Sequence, residues 1–303
     1  MAELALTDGG IETSLTFHEG LELPCFASFP LLATDPGRAA LRRYFTRFLQ
    51  LAEETGLPFV LDTVTWRANP DWGERLGYTA DQLAQANEDA VSFAQQLAAG
   101  RGDVTISGMV GPRGDGYVVG EQMTETEAEA YHAWQIGVLA HAGVDRVTVL
   151  TLTYPEEAVG VVRAARTAGV PVVVAFTVET DGRLPSGASL SASIAQVDGA
   201  TDSGAAFFMV NCAHPSHFAK VFDDAAPWLE RVGGLRVNAS ALSHAELDEA
   251  DTLDEGDPAE LAEHHRHLRD RLPAIQLLGG CCGTDHRHVR AIAEAWTSES
   301  RSG

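Results

Sequence analysis

Val172-Val173-Val174-Ala175-Phe176 is apolar at every position, without the polar alternation of a strand that keeps one face wet. A strand of this kind is covered on both sides, as in a parallel sheet flanked by helices. Outward from it, short β-branched or apolar runs alternate with amphipathic stretches along the whole chain. Leu4–Thr7, Phe59–Asp62, Val104–Met109, Arg146–Leu150, Ala206–Asn211, Leu235–Asn238 and Ala274–Leu278 bring the candidate strands to eight. Between them Leu41, Phe45, Phe48 and Ala52 recur at helical spacing, as do Leu83, Ala86, Ala90 and Leu97, and later Val289, Ile292, Ala293 and Trp296. Thr79-Ala80-Asp81-Gln82 and Thr124-Glu125-Thr126-Glu127 fit capping boxes, which satisfy the free backbone donors of a helix start. Eight βα units with no break in composition predict an α/β fold, a (β/α)8 TIM barrel forming a single domain over residues 1–303.

The bulk numbers narrow the function. Lys and Arg number 21 against 43 Asp and Glu, a formal charge of −22 that repels polyphosphate backbones and anionic membrane faces. Nucleic acid and membrane are therefore not expected as partners. Lys220 is the single lysine, which disfavours Schiff-base chemistry of the lyase or aldolase kind; it falls eight positions past Cys212, where a following helix is expected. The N-terminal residues lack a basic region and a long apolar core, and no window approaches a membrane span, so a cytoplasmic protein is expected.

The four cysteines are Cys25, Cys212, Cys281 and Cys282, too few and too uneven for a secreted disulfide framework. Cys25 stands alone and reads as a small buried hydrophobe. Cys212 ends the sixth strand candidate, and Cys281-Cys282 follow the eighth in Leu277-Leu278-Gly279-Gly280-Cys281-Cys282-Gly283-Thr284. Both strand ends point to the same rim, and the two strands are one neighbour apart in a closed barrel. Adjacent residues of a regular strand face opposite sides, but Gly279, Gly280 and Gly283 let the backbone leave extended geometry and turn both thiols inward. Three thiolates suit Zn2+, and three protein ligands leave a fourth position for substrate. An anionic zinc centre makes a coordinated acceptor thiolate electron-rich enough to attack a methyl group. A vicinal disulfide and a packed pair are the structural alternatives for Cys281-Cys282, and a phosphate cradle is one for Gly279–Gly283.

Two connections after strands are long, about 65–78 and 239–257. The second holds seven acids (Glu246, Asp248, Glu249, Asp251, Asp254, Glu255 and Asp257) and no Lys or Arg, and reads as a solvated lid or short surface helix in preference to a cation site.

With these motifs in place, the sequence resembles the homocysteine S-methyltransferase family over essentially its whole length. Gly279-Gly280-Cys281-Cys282-Gly283-Thr284 looks like that family's signature, and Val210-Asn211-Cys212 looks like the segment giving its first zinc cysteine. Asp8-Gly9-Gly10, Val110-Gly111-Pro112 and Ala142-Gly143-Val144-Asp145 match as well. The resemblance implies a zinc-binding barrel with Cys212, Cys281 and Cys282 as ligands, and Asp8 in contact with the amino group of an amino-acid thiol. It implies methyl transfer to homocysteine, giving methionine, from S-methylmethionine, S-adenosylmethionine or betaine; methyltetrahydrofolate would need a partner chain. One departure stands out: where the family pattern places Glu-Thr after strand four, this chain has Leu150-Thr151. Arginines at 67 and 113 lie near the rim and could suit an anionic group on the acceptor. A different thiol acceptor, or a zinc-binding, thiol-sensing protein without catalysis, are the alternatives that Leu150 motivates.

Overall fold

The computed structural model describes residues 3–250 and 252–298. Its strands are β1 (Ala5–Leu6), β2 (Phe59–Asp62), β3 (Val104–Val110), β4 (Arg146–Leu152), β5 (Val172–Phe176), β6 (Phe208–Asn211), β7 (Val232–Val237) and β8 (Leu277–Gly280). They form one closed parallel barrel in sequence order, sealed by β1 against β8 through Leu6 and Leu278. The predicted (β/α)8 barrel is thus the observed fold.

The uniform apolarity of β5 resolves into two faces once the barrel closes. Val173 and Ala175 join Val60, Trp66, Met109, Leu150, Phe207, Met209 and Leu277 in a cluster filling the barrel, while Val172, Val174 and Phe176 belong to the larger core beneath the helices. The helices Asp35–Thr55, Ala80–Ala98, Glu125–Ala142, Pro155–Ala168, Leu190–Thr201, Pro258–Arg269 and His286–Thr297 cover that outer face. Both predicted capping boxes are present, at Thr79 with Gln82 and at Thr124 with Glu127.

Among the differences from expectation, two strand boundaries and one helix have a physical reason. β7 begins at Val232 because Gly233 and Gly234 leave room inside the barrel for Phe207 and Met209, whose atoms would lie 2.6 and 2.8 Å from added Cβ atoms. β8 runs through Gly279 and Gly280 instead of ending before them. After β6 there is no long helix: Pro215–Phe218 gives one short turn, and Lys220 lies in the 3-10 turn Ala219–Phe222.

β4 carries an irregularity between Val149 and Leu152, with Thr151 in the left-handed region at φ 65°. The Asn211 amide oxygen accepts from the Thr151 N–H at 2.9 Å, tying the end of β4 to the end of β6. Among the described residues no helix is long and apolar enough to cross a membrane.

Candidate metal centre

Register sets the site. Asn211 of β6 pairs with Arg236 of β7, which pairs with Gly279 of β8, so the three strands end level. Cys212 N–H then donates to Arg236 O at 2.9 Å, and Cys281 N–H to Val237 O at 2.7 Å. Cys212 takes φ 55°, a left-handed conformation uncommon outside glycine, as the chain leaves the strand. Gly279 and Gly280 remain extended, which corrects the expectation that they form the turn. Their missing Cβ atoms would collide with Thr7 and with Thr284, so they serve close approach. The turn falls on Cys281-Cys282-Gly283, closed by Thr284 N–H and Oγ1 donating to Cys281 O at 3.1 and 2.7 Å, with Gly283 at φ 77°.

The turn brings the three sulfurs within 4.8 Å of one another, with Cys212 and Cys282 Sγ 3.5 Å apart. Three sulfurs on a tetrahedron of radius about 2.3 Å lie about 3.8 Å apart, so this donor set fits one thiophilic ion with little movement. All four cysteines are free thiols. Contacts from the Cys212 and Cys282 thiols push Cys281 well below the usual thiol range, and the Arg236 guanidinium adds to this. The contact with Cys281 pushes Cys212 up, and the contacts with Cys212 and then Cys281 push Cys282 up. Cys25 is exposed, which corrects its expected burial.

Tyr117 completes the ring around the thiols, its hydroxyl 3.0 Å from Cys212 Sγ and 3.7 Å from Cys282 Sγ. Its ring packs at a tilt against His244, centroids 4.7 Å apart. Burial holds the His244 imidazole below its usual pKa. A cavity of about 460 Å³ opens onto Cys282 and Gly283, with Tyr117, Arg67 and Trp72 on its wall. The acidic connection forms one side of it: His244, Leu247 and Leu253 turn inward, as expected of a lid. Its acids serve local order, Glu246 capping Ser243, Asp254 accepting from Ser240, and Asp257 capping Ala259. Asp251 lies outside the described residues.

Asp8 is buried beneath the thiols. Arg236 bridges it to Asp62, at 2.5 and 2.6 Å, and donates through Nε to Gly280 O at 3.1 Å. Tyr44 donates to the other Asp8 oxygen at 3.1 Å. Burial raises the Asp8 pKa to about 6 despite Arg236. Leu150 packs in the barrel-filling cluster, 5 % exposed. Of the two rim arginines, Arg67 lines the cavity, whereas Arg113 pairs with Asp71 at 2.9 Å on the surface. Sequence reasoning missed Arg236 and Tyr117. The lone charge in the apolar run Gly233–Val237 signalled the first, and the second stands two positions past the rim segment Gly111–Asp115.

Residues 5–296 match the sequence profile of the family described as Homocysteine S-methyltransferase. Betaine--homocysteine S-methyltransferase 1 of Rattus norvegicus is 26% identical over 279 residues, covering 86% of this chain and 65% of that one. The S-methylmethionine--homocysteine S-methyltransferase BHMT2 of Mus musculus is 25% identical, covering 86% and 70%. The chain thus spans about 65% of the length of the first of these relatives. Among solved structures, the homocysteine methyltransferase MmuM of Escherichia coli superimposes with a TM-score of 0.74 in its oxidized form, at 18% identity over 95% of this chain and 94% of that one. Its metallated form gives a TM-score of 0.73 at 17% identity, over 97% and 96%.

Proposed function

We propose, from the premise that this chain belongs to the homocysteine S-methyltransferase family, that it is a zinc-dependent enzyme moving a methyl group from a small-molecule donor to the sulfur of homocysteine. The observation that carries this reading is the meeting of Cys212, Cys281 and Cys282 beside one cavity. Three sulfur donors with one side facing a cavity suit zinc in a catalytic setting better than a closed structural site. Bound there, zinc would act as a Lewis acid that lowers the pKa of an accepting thiol.

The chain's own residues frame the reaction. Arg236 holds positive charge beneath the thiols and fixes β8 through Gly280 O, which favours the thiolate of Cys281. Tyr117 and the lid residues Leu247 and Leu253 narrow the water path to the sulfurs. Asp8 would reach the acceptor's amino group only by giving up part of its pairing with Arg236 and Tyr44, which occupy both its oxygens away from the cavity wall. The acceptor's thiol proton leaves to solvent; its sulfur lone pair then forms the S–CH3 bond as the donor's bond to that methyl breaks, and the donor departs with the electron pair. A cationic donor, sulfonium or quaternary ammonium, suits a chain of charge −22. Free thiols at all four cysteines suit the cytoplasm.

The test is zinc-loaded protein given homocysteine with S-methylmethionine, S-adenosylmethionine or betaine, with methionine measured. Methionine from at least one donor is expected, and none from any of them removes the reading. Leu150 favours one variant of it, a different thiol as acceptor, which a thiol panel under the same conditions distinguishes.

A further inference from the structure

Asp62, Ser107 and Arg146 stand in one row across β2, β3 and β4, since Asp62 pairs with Ser107 and Ser107 with Arg146. The stagger of the barrel thus sets the end of β2 level with the start of β4. All three side chains point inward, by the alternation that puts Val60, Met109 and Leu150 in the barrel filling. Beside them the Ser107 and Thr148 hydroxyls share a hydrogen bond at 2.8 Å.

Asp62 is 2 % exposed, and its two oxygens are used unequally. Oδ2 accepts from Arg236 at 2.6 Å and from Thr7 Oγ1 at 3.4 Å, whereas Oδ1 has no partner. Arg146 is its counterpart: Nε and Nη2 are shielded from solvent without an acceptor, and the guanidinium carbon lies 5.7 Å from the centre of the Phe207 ring. Among the described residues no acid lies within salt-bridge distance of Arg146. Burial holds its pKa below the usual arginine value, and the Asp62 carboxylate opposes this. A bare carboxylate oxygen and two bare guanidinium nitrogens are costly in an interior. One water satisfies all three, accepting from the guanidinium and donating to Oδ1. An anion in the same gap would meet Oδ1 and be repelled.

The charges around the row then balance. Asp62 faces Asp8 from β1, Arg236 from β7 and Arg146 from β4, while β3 offers the Ser107 hydroxyl. Tyr44 and Glu12 face Asp8 as well. We infer that Arg146 is the counter-ion of Asp62, joined to it through one buried water, and a positioning residue for the metal centre. With Oδ1 served from the N-terminal mouth of the barrel, Arg236 turns Nη2 to Asp8 and Nε to Gly280 O, which anchors the end of β8 ahead of Cys281. The positioning role rests on the thiol-metal reading; the pairing with Asp62 does not.

The experiment compares the full chain with Arg146→Met, Arg146→Lys, Asp62→Asn and the double variant Arg146→Met with Asp62→Asn. Chelated protein is titrated with denaturant at pH 5 and pH 8, and cobalt is titrated at pH 8. Methionine keeps much of the apolar stem and loses the charge, so Asp8 and Asp62 share one cation and take up a proton in the folded state. A carboxyl pKa raised by folding makes stability fall as pH rises from the unfolded value of about 4 towards the raised one. Arg146→Met should therefore reduce the folding equilibrium constant at least about 10-fold more at pH 8 than at pH 5. The double variant leaves one acid to one arginine and should recover most of the pH 8 loss, and Arg146→Lys part of it. Cobalt, followed by its sulfur-to-cobalt absorption, should bind Arg146→Met several-fold more weakly, with recovery in the double variant. An equal loss at both pH values with no rescue by Asp62→Asn overturns the pairing, and cobalt affinity unchanged in Arg146→Met overturns the positioning role. A parent protein without any sulfur-to-cobalt band sinks the thiol-metal reading instead, while the denaturant comparison still judges the pair. A crystal structure with a dry gap or an anion between Asp62 and Arg146 overturns the water bridge.

Discussion

Cys212 and Cys282 approach to 3.5 Å because each leaves its strand by a different device, a left-handed residue in one case and a glycine-terminated turn in the other. Neither thiol belongs to a packing cluster that holds the barrel together. Changing Cys212, Cys281 or Cys282 singly to Ala should therefore remove most of the metal, about one ion per chain, without unfolding the protein. Elemental analysis beside circular dichroism checks both halves.

Glu12, on the short helix Ile11–Thr13 after β1, accepts from Ser28 Oγ at 2.8 Å and makes the opposite kind of prediction. Its pKa is raised from 4.5 to about 7, so the folded state binds more protons than the unfolded one between those values, and stability falls as pH rises through that window. Glu12→Gln should stabilise the protein by up to about 3 kcal/mol at pH 8 and by little at pH 4. Denaturant titrations at the two pH values decide it, and a gain of equal size at both would mean that the carboxylate is not strained. Leu150→Glu puts an unpaired carboxylate among Trp66, Met109 and Phe207, and should cost on the order of 3–5 kcal/mol. Denaturant titration of the variant beside the parent checks that cost.

At the scale of elements, the turn Cys281–Gly283 depends on what packs against it. Gly280→Ala should force its new methyl against Thr284, displace the turn, and lower metal affinity at least about 10-fold while the barrel persists. Metal titration of the variant checks this, and Gly280→Ala with Thr284→Ser should recover little of the loss, because serine keeps the hydroxyl oxygen that the new methyl meets first. The same glycines explain what was legible in the sequence. β5 announced itself by Val172–Phe176, and the cysteines announced a shared rim. The starts of β7 and the end of β8 did not, because glycine carries no apolar or β-branched signal. Gly233, Gly234, Gly279 and Gly280 lie in strands through the shape of their neighbours, which one sequence does not display. Arg236 was hidden for a related reason: its two acid partners lie at positions 8 and 62, a pairing that exists only after closure.

For the molecule as a whole, the barrel filling and the layer under the helices hold the fold without the ion. Chelation should leave a cooperative unfolding transition, with Tm lowered by roughly 5–10 °C through loss of a ligand that binds only the folded state. Non-cooperative melting after chelation would mean that the ion is part of the core. The closure of β1 on β8 also sets an order of events in the cell. Cys212 is synthesised 281 − 212 = 69 residues ahead of Cys281, which at ribosomal speed is a gap of roughly 3–14 s. Throughout that interval the first thiol has no partner sulfur, and the surfaces of Gly10 and Thr13 that later press on the final turn stand bare. The set of three proposed ligands is thus complete only once Cys282 has been made, and a nascent polypeptide stalled before Leu277 offers Cys212 alone of the three.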